Sequence, residues 1–123
     1  MKYMGIEEIP KEIAKEVVEL YDDFVSEIQP LLNSENKKEI EDEIYWKIRH
    51  ISSYEIIDTF SDEYIMVNIT TDNKDNIECI NCYIELDEKG IPIEIIQYVD
   101  IYFNDDDYPF EDVYIKLLKE MVQ

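Results

Sequence analysis

With 123 residues, 46% of them hydrophobic, the chain is long enough for one domain with a true core and too apolar for a disordered acidic tail. Its 31 Asp and Glu against 11 Lys and Arg give a formal charge of −20. That sign repels nucleic acid and anionic lipid, and direct binding to either needs basic patches that this sequence lacks.

Met1 to Glu8 lacks the apolar run of a secretory signal, and no stretch approaches a membrane span, so a cytoplasmic chain is expected. From Pro10 to Gln29, Ile13, Val17, Leu20, Tyr21, Phe24 and Ile28 recur at spacings of three and four, which predicts an amphipathic helix. Pro10 suits its first position, Glu12 and Glu16 suit the positive end of its dipole, and Pro30 is expected to stop it. Asn33 or Ser34 is then the expected cap of a second helix to about His50, with Ile40, Ile44 and Ile48 inward.

At Ser53 the period changes to two. The runs SYEIIDTF, EYIMVNITT, NIECINCYIEL and IPIEIIQYVDIYF are rich in β-branched and aromatic residues and are separated by short polar turns. The last turn, Asp87 to Gly90, places a glycine where a hairpin loop needs positive φ. Connections this short predict a four-stranded antiparallel meander.

Near the end, NDDDYPFEDVY (Asn104 to Tyr114) packs five carboxylates together without a cation. Phe110, Val113, Tyr114, Leu117, Leu118 and Met121 follow a helical stripe, with Pro109 in the first turn and Glu111 and Asp112 near the positive dipole end. That helix end offsets two or three of the five acids and does not cover all of Asp105, Asp106 and Asp107.

The expected fold is therefore α+β, a single acidic domain over residues 1–123. Two N-terminal helices and a C-terminal helix pack on one face of the four-stranded sheet. Alternation assigns Ile65, Val67 and Ile69, then Ile80, Cys82, Ile84 and Leu86, then Ile91, Ile93, Ile95, Val99, Ile101 and Phe103 to the core side. The opposite side receives Tyr64, Met66, Tyr83, Glu85, Glu94, Ile96, Tyr98, Asp100 and Tyr102. Tyrosine offers stiff contact area with a polar tip, and carboxylates beside it accept paired hydrogen bonds from arginine. The expected partner-binding set is Tyr64, Tyr83, Glu85, Glu94, Tyr98, Asp100, Tyr102 and Asp105 to Asp107. Replacing Tyr98, Asp100 and Tyr102 together is expected to weaken binding and spare folding. The competing reading has the tyrosines pairing across strands, or a helix or second subunit covering them.

Other motifs point to less. Cys79 and Cys82 spell C-x-x-C, but residues three apart on a strand face opposite ways, and zinc needs four converging ligands. Asp72 to Glu78 resembles a calcium loop, yet Lys74 takes a ligand position and no glycine follows. His50, the one histidine, has no recognisable nucleophile or orienting acid and suits the last carbonyls of a helix. No catalytic residue, cofactor or metal is expected.

Between His50 and Ile115 only Lys74 and Lys89 are basic, against seventeen Asp and Glu. Such a field attracts cationic surfaces. The sequence therefore leads to an acidic inhibitor that blocks a basic, nucleic-acid-binding protein, foremost an immunity or antitoxin protein for a nuclease toxin. The alternatives are a phage or mobile-element mimic of nucleic acid directed at a restriction or CRISPR enzyme, and a small enzyme or metal-binding module. A homodimer through the tyrosine face is compatible with the same residues.

Overall fold

The computed structural model describes residues 5–57, 61–73, 76–104 and 109–123. It is an α+β fold in which three helices lie on an antiparallel sheet. After a 3-10 turn at Ile6–Glu8, helix α1 runs Lys11–Leu32. Pro10 is its N-cap rather than its first residue, and its carbonyl accepts from the Ile13 and Ala14 N–H groups at 3.0 and 3.1 Å. Ile13, Val17, Tyr21, Phe24 and Ile28 are buried on the expected stripe.

Pro30 does not stop this helix. A proline so near the end removes one N–H bond, and burial of Leu32 holds the last turn on. The Asn33 N–H to the Gln29 carbonyl, 3.2 Å, then closes it. Helix α2 starts later than expected, at Ile40, and runs to Arg49. Ser34 accepts the Asn36 N–H at 3.3 Å and so organises a local turn instead of capping a helix. Inward apolar residues begin only at Ile40. Glu41, Asp42 and Glu43 in the first turn and Lys47 and Arg49 in the last complement the dipole.

The strands are β1 (Tyr54–Ile57), β2 (Tyr64–Thr70), β3 (Ile77–Leu86), β4 (Pro92–Ile95), β5 (Tyr98–Phe103) and β6 (Phe110–Tyr114), followed by helix α3 (Ile115–Met121). Their order is β1-β2-β3-β5-β6, with β4 also paired to β3. Six strands replace the expected four, for two physical reasons.

First, the run from Ile91 to Phe103 is interrupted at Ile96 and Gln97. β4 pairs Ile84↔Ile95, β5 pairs Ile80↔Ile101, and the register shifts between them. The two carbonyls at the break are satisfied from the helical layer. Tyr21 Oη donates to the Ile96 carbonyl at 3.2 Å, and the Ile115 N–H donates to the Gln97 carbonyl at 3.0 Å.

Second, Phe110–Tyr114 is a strand, not the start of the last helix. It pairs Val99↔Val113 and Ile101↔Phe110, with a bulge between, so Phe110 and Val113 both oppose core-side residues although three apart. A bulge thus imitates helical spacing. Asp112, within it, has φ 53°. Glu111 and Asp112 therefore gain nothing from a helix dipole, and α3 has no acid in its first turn.

Buried residues of all three helices join Ile65, Val67, Ile69, Ile80, Cys82, Ile84, Ile95, Val99, Ile101 and Phe103 in one core. Ile93 departs from expectation and is 47% exposed. A register shift at Leu86 pairs that residue with Pro92, so Pro92 takes the inward position. The β3–β4 turn forms as read. Gly90 has φ 79°, and Asp87 Oδ1 accepts from the Lys89 and Ile91 N–H groups at 2.8 and 2.9 Å.

The candidate interaction face

Side chains alternate along strands, so each residue beside a core position points away from the helices. The helices meet the sheet through its aliphatic side: α1 against β3 and β4, α2 against β1, and α3 against β6. The other side carries Tyr64, Tyr83, Glu85, Glu94, Tyr98, Asp100 and Tyr102 together, as expected. Ile96 lies instead at the strand break and is half-buried. Asp105, Asp106 and Asp107 lie outside the described residues.

Register turns these residues into rows. Tyr64, Tyr83, Tyr98 and Tyr114 form a ladder across β2, β3, β5 and β6, with ring centroids 5.0, 5.6 and 5.9 Å apart in tilted or edge-on contacts. Such geometry suits the ring quadrupoles and adds to the sheet's stability. Tyr114, 55% exposed, carries the ladder to the sheet edge.

To one side of the ladder, Tyr64 opposes Glu85 and Glu85 opposes Glu94. Both glutamates are exposed. To the other side runs a hydrogen-bonded row. Asn68 Nδ2 donates to Asn81 Oδ1 at 2.8 Å, and Asn81 Nδ2 lies 3.4 Å from both Tyr102 Oη and Met66 Sδ. Tyr83 Oη donates to Asp100 Oδ2, and the Asp112 N–H donates to Asp100 Oδ1 at 3.0 Å.

Asp100 thus spends both oxygens inside the protein. It is 5% exposed and Tyr83 is 6%, yet their partners all come from the sheet. Among the described residues no buried side-chain polar atom lacks a partner. Burial first, then the bond to Asp100, pushes the Tyr83 hydroxyl up from its ordinary value. Tyr98 is raised by burial and next by Asp112 and Asp100; Tyr102 is raised by burial and then by Asp100. These phenols stay protonated near neutrality; Tyr83 donates to Asp100, and Tyr102 accepts from Asn81 Nδ2.

Sequence reasoning missed four members of this face. Tyr114 was hidden by the helical reading of Phe110–Tyr114. Asn68 and Asn81, mid-strand residues of low β propensity at directly paired positions, were a readable signal for a polar row. Asp112 joins through its backbone, which no residue type announces.

Elsewhere, Cys79 pairs with Tyr102 and Cys82 with Val67, so the thiols diverge. Burial, then Asp100, raises the Cys82 thiol. Among the described residues no group of three or more His, Cys, Asp or Glu is placed to hold a metal ion, and no helix is long and apolar enough to cross a membrane. His50 Nδ1 donates to the Trp46 carbonyl at 2.7 Å, the helix-end role read from sequence. Its ring stacks on the Trp46 indole at 4.1 Å, and Trp46 is 62% exposed. Comparison with protein families, with curated proteins and with solved structures found no match.

Proposed function

We propose that this chain is an inhibitor that docks on the basic, nucleic-acid-binding surface of another protein, foremost as the immunity or antitoxin partner of a nuclease toxin. A nuclease carries Lys and Arg in its substrate cleft, and an acidic plug with aromatic anchors opposes that cleft directly. One observation carries the reading: a sheet face that none of the described helices covers, with a four-tyrosine ladder beside exposed glutamates, in a chain of net charge −20. Tyrosine is an energetic anchor of protein interfaces, whereas scattered surface acids alone serve solubility. The compactness of the patch favours this over a nucleic-acid mimic of a phage or mobile element, which would use carboxylates spread over a long surface.

Capture of the partner on immobilised protein, followed by mass spectrometry, tests the proposal. A nuclease or other basic protein released by rising salt is the expected result, and adding the chain back should abolish its cleavage of DNA or RNA. A neutral or acidic partner held equally well at high salt overturns the reading.

A further inference from the structure

Resting on the interaction face proposed above, we infer that its ligands are guanidinium groups, so that the partner meets it with arginine rather than lysine. Glu85 and Glu94 are directly opposed across β3 and β4. Like charges in that position repel, with Cβ atoms only about 4.5–5.5 Å apart. Among the described residues both ion pairs, Lys47–Glu27 and Lys119–Asp22, join helical residues and leave this sheet pair unneutralised. Lys116 and Lys119 of α3 line one cavity with Glu94, yet neither makes an ion pair with it, so a cation from a docked partner would relieve the repulsion.

The neighbours select which cation. Tyr64 flanks Glu85 in the same row, and its ring stands edge-on to Tyr83 at 5.0 Å in the adjoining ladder. A guanidinium is planar, weakly hydrated and carries five N–H donors in a fixed fork. It lies on a phenol ring while its in-plane donors bridge two carboxylates, a posture that an ammonium, compact and strongly hydrated, does not reproduce. Asp100 is out of a partner's reach because it is 5% exposed, and it already accepts from Tyr83 and the Asp112 N–H. It is a positioning residue for the ladder. A second copy of this chain is an unfavourable occupant, since it too carries a net charge of −20.

The test uses the intact protein and two probes, an all-arginine and an all-lysine peptide of equal length at equal ionic strength. Calorimetry should give the arginine peptide an affinity about tenfold higher or more. Backbone amide shifts on titration should concentrate at Tyr64, Glu85, Glu94 and Tyr98. The Glu85→Gln, Glu94→Gln double variant should lose the preference for arginine. Because it removes a repulsion it should fold at least as stably, so its loss of binding is not loss of structure. Equal affinity for both peptides, or shifts concentrated on the outer faces of α1 and α2, overturns the inference. If the captured partner is basic while the peptides bind alike, only the arginine assignment falls. If the peptides discriminate but the partner is acidic, the inhibitor reading falls instead.

Discussion

Strand β5 has two sides, and they are built on different physics. Val99, Ile101 and Phe103 enter an aliphatic core closed by helices, while Tyr98, Asp100 and Tyr102 stand on a face that none of the described helices covers. The first side is held by area removed from water, which is strong and non-directional. The second is held by ring contacts and hydrogen bonds, which fix orientation and add less stability. A face ordered this way, yet left open, is pre-organised for contact.

The sharpest way to break the contrast is to cut the core. Phe24→Ala, at a fully buried site on α1, should cost about 3–5 kcal/mol, read from the urea midpoint. A loss under about 1 kcal/mol would mean the helices do not close the core.

Alkali challenges both sides together. Burial first, then Cys82 and after it neighbouring carboxylates, raise Tyr21 and Tyr54 on the helical side to about 12, against an ordinary 10.0. The unfolded chain ionises these phenols before the folded one does. Stability is therefore fully present below pH 10 and falls as pH rises toward about 12. Phenolate absorbance should appear in step with loss of helical circular dichroism; ionisation of these tyrosines in the still-folded protein would contradict it.

On the open side the largest single loss should come from Asp100→Ala. It strands the Tyr83 hydroxyl and the Asp112 N–H, at about 1–3 kcal/mol, with Asp100→Asn recovering part through its amide oxygen. Asp100 therefore does not belong in a variant meant to spare folding, contrary to the three-residue set read from sequence. Tyr98→Ala with Tyr102→Ala is the cleaner variant. Each should cost roughly 0.2–1 kcal/mol of stability, while capture of the partner drops by about 2 kcal/mol or more. Denaturation and binding measured on the same sample separate the two. Smallest of all, moderate salt should raise the melting temperature of the free protein by roughly 2–8 °C by screening self-repulsion, and a decrease would contradict that account.

Period alone recovered most of this architecture. The α1 stripe from Ile13 to Ile28 and the inward positions of β2 and β3 are direct readings of spacing, and Tyr64, Tyr83, Tyr98 and Tyr102 followed by parity. What escaped were positions where one residue breaks the period. The β6 bulge put Phe110 and Val113 on one side at a helical interval. The shift at Leu86 exchanged Pro92 for Ile93. Pro30 and Ser34 failed as punctuation because burial of Leu32 and a local turn outweighed their intrinsic preference. Parity also gave Asp100 its face without its depth, which depends on how Tyr83 and the bulged backbone close around it.

The single tryptophan, Trp46, is already largely wet and lies on α2, away from the tyrosine ladder. The wavelength of indole emission should therefore shift little as the chain unfolds, and an assay built on that shift would underreport the transition. Near-ultraviolet dichroism, dominated by the locked phenols of the sheet, reports the opposite half of the molecule. The two optical signals should thus differ in amplitude, while in a two-state transition their midpoints coincide.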